Sequence, residues 1–116
     1  MESILNSVKK NLGIEPEYKQ FDHDIITYTN GVFMTLTQLG VGPEEGFYIT
    51  DESETWMDFT EDINQMKAIE TLTWMKVKLI FDPPLSSALI ESLNNQIKEL
   101  EWRVRERAEE LKQLNT

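Results

Sequence analysis

The chain has 116 residues, 40% of them hydrophobic, with 21 acidic side chains against 11 basic ones and a formal charge of −10. That length makes a single domain, 1–116, with room for a real core, and the charge argues against a sequence-independent nucleic-acid binder, whose phosphate contacts need clustered Lys and Arg. With no cysteine, disulfide scaffolds and thiolate metal sites are excluded; no apolar run approaches the ~20 residues of a membrane span, and the opening MESILNSVKK lacks a signal-peptide profile.

Ile4, Leu5, Val8 and Leu12 recur at helical spacing before Gly13, which predicts a first helix over about 2–12. The stretch 14–20, with Pro16, is a connector. A second helix opens at Phe21–Asp22, with Asp22 as the expected N-cap and Phe21 placed to staple onto Ile26. Its apolar face is Ile25, Ile26, Val32, Phe33, Leu36 and Leu39, ending at Gly40. Gly31 in its middle costs about 1 kcal/mol relative to alanine; close approach of another helix is the expected compensation.

Residues 41–61 break the pattern. Gly42, Pro43 and Gly46 prevent a helix, Phe47-Tyr48-Ile49 is placed for a short extended run, and a helical turn fits around 55–59. From Glu44 to Asp62 there are eight acids and no base, interleaved with Phe47, Tyr48, Trp56 and Phe59. A long loop of that composition is more often functional or interfacial than idle.

The next helix is expected over 62–81, with Asp62 and Gln65 at capping-box spacing. Its second half, Leu72 to Phe81, is apolar almost all round, which places it at the centre of a bundle. Asp82-Pro83-Pro84 turns the chain, with Pro83 suited to the first turn of the final helix and Asp82 or Ser86 to its cap. From Leu85 to Gln113 there is no glycine or proline, so the last helix would run about 43 Å, longer than the roughly 35 Å diameter of a compact sphere of this size. The expectation is a bundle over 2–102 and a projecting arm over 103–116. Leu93, Ile97, Leu100, Val104, Leu111 and Leu114 form a seam in which Arg107 takes one position. Glu99–Arg103 and Glu101–Arg105 are i,i+4 pairs in the favourable order.

No catalytic constellation emerges. His23, the sole histidine, sits between Asp22 and Asp24 and reads as a solvated helix-terminal residue; no serine lies in a nucleophile elbow. GVGPEEG lacks the Lys and following helix of a phosphate loop. Counting from Asp51, an EF-hand would need glycine where Trp56 stands, although Asp62 falls at the twelfth position. No cofactor or metal is expected. Trp74 reads as packing, whereas Trp56 and Trp102 read as interface anchors or edge-of-core residues. Arg103, Arg105 and Arg107 fan around the helix, either to bridge locally or to dock a partner groove, with Leu111 and Leu114 as apolar anchors.

The segments NGVFMTLTQLGVGPEEGF at 30–47 and KVKLIFDPPLSSALIESLNNQIKELEWRVRERAE at 76–109, with ILNSVKKNLGI at the start, resemble the head–tail connector (adaptor, or head-completion) proteins of long-tailed bacteriophages. The resemblance implies an all-α bundle of four to five helices assembled as a closed, dodecameric ring beneath the portal in the virion neck, after assembly in the host cytoplasm. On that likeness Trp102, Arg103, Arg105, Arg107, Leu111 and Leu114 become a portal-docking arm. Phe47, Tyr48, Trp56 and Phe59 become contacts to a neighbouring copy or a downstream stopper, and Glu44, Glu45, Asp51, Glu52 and Glu54 become candidates for the wall of a channel through which DNA passes unbound. The implied partners are the portal, copies of the same chain and the stopper, with no membrane.

Two other readings compete. An acidic decoy could mimic nucleic acid and inhibit a DNA-binding enzyme, although the interleaved Arg and Glu of the arm break the acid surface. A coiled-coil regulator would dimerise through Ile97, Leu100, Val104 and Leu111, with Arg107 on its seam.

Overall fold

The computed structural model describes residues 2–114. It holds five helices: α1 (Ile4–Asn11), α2 (Asp22–Gln38), the single turn α3 (Trp56–Phe59), α4 (Ile63–Phe81) and α5 (Ser87–Leu114). Among the described residues the only β-type pairing is one isolated bridge between Ser3 and Thr55, so the all-α expectation holds.

Each helix starts and stops for a local reason. Ser3 caps α1 by accepting from Asn6 N at 3.2 Å, and Gly13 at φ 81° lets the chain leave. Asp22 does not cap α2. Its carboxylate instead lies 2.8 Å from Lys9 Nζ, and Lys9 is fully buried, also donating to the carbonyls of Pro16 (3.0 Å) and Tyr18 (2.7 Å). A buried ammonium needs that many oxygens, and here it ties the 14–20 connector to α1. Phe21 packs edge-on against Phe81 at 5.2 Å and beside Tyr18. Asp62 caps α4 through Gln65 N at 3.0 Å, but the Gln65 side chain turns away and donates to Val104 O at 2.7 Å. Ser86, with Leu89 N at 3.4 Å, caps α5, and both prolines stay in the connector.

The central helix is α4. It buries Ile69, Leu72, Thr73, Met75 and Val77 and packs against all four other helices, while α5 returns antiparallel along it. The core they enclose contains Ile4, Leu5, Val8, Ile25, Val32, Phe33, Leu36, Ile49 and Trp56. Gly31 faces open space and no helix approaches it, so the expected compensation is missing.

The body measures 44 × 34 × 20 Å, a slab rather than a sphere. At 28 residues, α5 is about 42 Å long and fits the long axis. It does overhang, but by the end that follows Pro84: positions 85–89 are exposed, whereas Val104 and Ala108 are buried at the other end. Along the seam Ile97 and Val104 are buried and Leu93, Leu100 and Leu111 half-buried inside their own chain, with Leu114 alone exposed, which removes the apolar face a coiled-coil dimer would use.

Candidate assembly interface

The 41–61 loop is held down by its aromatics. Phe33 on α2 stacks on Phe59 at 5.1 Å and meets Phe47 and Trp56 edge-on at 5.3 and 6.2 Å; Phe47 in turn meets Phe59 at 5.3 Å. Trp56 is only 2% exposed and donates its Nε1–H to Ser7 Oγ at 2.8 Å. Gly42, at φ 90°, is required because a Cβ there would lie 2.5 Å from the Phe59 ring. Asn30 anchors the loop from α2: its Nδ2 donates to Ile49 O at 3.0 Å, and its Oδ1 accepts from Ile49 N at 2.7 Å. Trp56 and Phe59 are therefore core residues rather than partner contacts, and Phe47 is half-buried. Of the four expected contact aromatics, Tyr48 alone is free, at 70% exposure.

The loop acids divide in the same way. Glu54 accepts from Thr50 N and Oγ1 at 3.0 and 2.8 Å and from Asp51 N at 3.3 Å. Burial pushes its carboxyl up, but the hydrogen bonds from Thr50 and Asp51 outweigh this and hold it below its ordinary value. Asp51 is held low by Ser53, whose N–H it accepts at 2.7 Å. Asp58 accepts from Thr55 N at 2.8 Å. Glu54 is thus a turn-former rather than a free wall residue. Glu44, Glu45, Asp51 and Glu52 remain exposed.

The carboxyl half of α5 is a strut. Arg107 Nη2 and Nε donate to the two oxygens of Asp62 at 2.8 and 3.1 Å, and Nη1 reaches Glu110 at 3.2 Å. The Arg107 guanidinium holds the Asp62 carboxyl below the usual range, helped by Gln65 N, and is itself held more firmly protonated. Leu111 is half-buried and, with Ala108, Gln65 and Phe59, lines a cavity of about 290 Å³. Arg107 and Leu111 therefore belong to the fold and not to a free arm. Trp102 (56% exposed), Arg103, Arg105 and Leu114 are on the surface; Asn115 and Thr116, the last residues of the expected arm, lie outside the described residues. Arg103 pairs with Glu99 at 2.9 Å as expected, but Glu101 takes Lys76 at 3.0 Å and leaves Arg105 alone.

A surface missed from the sequence is the α4–α5 tip. Ile80, Leu85 and Leu89 are exposed there, Leu85 completely. The readable signal was charge: residues 83–97 hold a single charged side chain, Glu91, whereas residues 98–112 hold ten. Interface centres are depleted of charge in this way.

The fold is thus an all-α slab with a strut-braced hairpin, a pinned acidic loop and exposed apolar side chains at its tip. A family model described as phage connector protein matches residues 4–110, and the chain belongs to that family, the head–tail connectors of bacteriophages. No curated protein and no solved structure matches the chain. The family makes it a structural component of phage particles that interacts with other head and tail proteins. Among the described residues no helix is long and apolar enough to cross a membrane.

Proposed function

We propose that the protein closes with copies of itself into a ring beneath the portal, in the neck of the virion, and continues the DNA channel towards a downstream stopper without catalysing any reaction. The portal contact is carried by the α4–α5 tip instead of residues 103–116. The observation that supports this is the exposure of Ile80, Leu85 and Leu89 beside the charge-poor stretch 83–97, most of which can be buried without desolvating ions, with the Lys78–Asp82 pair next to Ile80. The formal charge of −10 leaves carboxylates such as Asp51 and Glu52 for the channel wall, where like charge keeps the duplex from sticking. The acidic-decoy alternative loses ground because Glu54, Asp58 and Asp62 are turned onto the protein's own backbone and Arg107.

The test is capture on purified portal. Leu85→Glu with Leu89→Glu touches no core residue, so the variant keeps its fold and loses portal binding. Wild-type binding by that variant refutes the tip assignment, and failure of the unmodified chain to bind any portal refutes the connector reading itself.

A further inference from the structure

Beyond the tip, the two flanks of α2 carry opposite character. On one flank Thr35 and Leu39 face α5 across a groove of about 260 Å³ that is also lined by Lys98, Glu101, Trp102 and Arg105. Lys98, Trp102, Arg105 and Lys112 follow spacings of four, three and seven and so share one stripe of α5. Lys98, Arg105 and Lys112 are exposed and make no ion pair among the described residues. Glu101, the acid in the groove, is neutralised by Lys76; Glu109, the other acid on the stripe, is exposed. The stripe therefore keeps a net positive charge around a half-exposed indole, in a protein that is strongly acidic.

On the other flank Asn30, Met34 and Thr37 border the loop residues Glu45, Gly46, Phe47 and Tyr48. At 3.6 residues per turn the two sets of α2 side chains point about 150° apart. Met34 and Tyr48 are exposed apolar groups there, flanked by Glu44 and Glu45, which have no cationic partner among the described residues.

We infer that the Lys98–Trp102–Arg105 groove receives the Glu44–Glu45–Tyr48 edge of a second copy of this chain. Charge and aromatic complementarity together favour that occupant: Lys98 and Arg105 flank Trp102 in the groove without ion partners, and Glu44 and Glu45 flank Tyr48 on the opposite flank without cationic ones. Because the two surfaces differ and lie on opposite sides of α2, the contact is head-to-tail and repeats from copy to copy, the arrangement that closes a ring. Trp102 and Tyr48 supply the desolvated centre and the charges its rim. The inference deepens the ring reading and rests on it. It also takes Glu44 and Glu45 out of the channel wall and into the subunit contact.

Charge exchange tests it. One variant carries Lys98→Glu and Arg105→Glu, so both its surfaces are acidic; the other carries Glu44→Lys and Glu45→Lys, so both are basic. All four positions are exposed, and circular dichroism of each variant should match the parent. Alone, each variant should form rings on the portal at least ~10-fold less well than the parent, because like charges now face each other. Mixed in equal amounts, they should assemble again with strictly alternating subunits, read by native mass spectrometry. Assembly of either variant alone at the parental level, or no recovery on mixing, overturns the inference while leaving portal capture of single subunits intact. A second readout works without the portal. The chain lacks cysteine, so Met34→Cys combined with Glu109→Cys, two exposed positions beside the contact that leave Tyr48 and Trp102 in place, treated at high protein concentration with a short thiol-specific cross-linker, should give a ladder of multimers, whereas a mixture of the two single variants should stop at dimers. No ladder in solution or on the portal also overturns the contact.

Discussion

Ending the chain after Trp102 removes the segment that the sequence marks as a free arm, and the structure turns this into a stability experiment. The cut deletes Val104, which is fully buried, and a fully buried valine contributes about 1.5–3 kcal/mol. It deletes buried Ala108, a methyl group of about 0.8 kcal/mol, and half-buried Leu111, of about 1 kcal/mol. It also strips Gln65 Nε2 of its buried acceptor, the Val104 carbonyl, at a cost of about 1–3 kcal/mol. Together these come to roughly 4–8 kcal/mol, against a total of about 5–15 kcal/mol for a domain. The truncated chain should therefore be largely unfolded or melt near room temperature, as followed by far-UV circular dichroism in a urea titration. Arg105→Ala and Glu106→Ala, both on the exposed face of the same segment, should stay within about 0.5 kcal/mol of the parent. A truncated protein that unfolds within about 1 kcal/mol of the full chain would show that 103–114 is the free-standing arm after all. Loss of portal binding on truncation is consequently no test of docking.

Gly31→Ala should stabilise the protein by about 0.5–1 kcal/mol in urea unfolding, since the position is helical, exposed and clear of neighbours; a destabilised variant would mean that something packs there. Gly42→Ala should cost about 2–4 kcal/mol, combining a left-handed backbone with overlap onto Phe59, and should blunt the near-UV signal of the aromatic cluster. Asp62 has a folded-state pKa below its unfolded one. Its stabilisation is therefore fully present above the unfolded value of about 3.9 and is lost as pH falls through the lower folded value. Asp62→Asn keeps a capping side chain, so the stability gap between parent and variant should be open at pH 7 and close in acid; a gap of constant width would place the effect outside the Arg107 contact.

The helices were legible because periodicity and punctuation agree with the packing. Ile4-Leu5-Val8 before Gly13, the all-round apolar run of α4 and the uninterrupted stretch after Pro84 each give one element; most ends move by a residue or two, but α5 starts at Ser87 and leaves Pro83, expected in its first turn, in the connector. Side chains that bond across the chain were not legible. Asp22 looks like a cap until Lys9 is seen beside it, and Gln65 looks like half of a capping box until Val104 offers a better acceptor. The loop aromatics misled for a related reason. Nothing local in a segment with eight acids says that Phe47, Trp56 and Phe59 turn inward, because their partners are Phe33 and Ser7, one on each of the first two helices.

The direction of the overhang turned on shape. A helix longer than a sphere of this volume must outrun its support, but length does not say at which end. Charge density along α5 marks the wrong end, because a charged helix need not be an unpacked one. In a slab a strut needs only one covered face: Val104, Ala108 and Arg107 cover it, and the remaining charges of 98–112 are solvated on the other. The apolar tip has the reverse problem, with Leu85 and Leu89 in water and few charges to keep them soluble. Exposed leucines in so charged a chain are hard to account for in an isolated subunit and follow directly if the tip is covered in the assembled neck. The strut then holds the tip at a fixed distance from the pinned loop. On the proposed reading, portal contact and neighbour contact both depend on this hairpin, and disturbing the Asp62–Arg107 clasp should weaken both together.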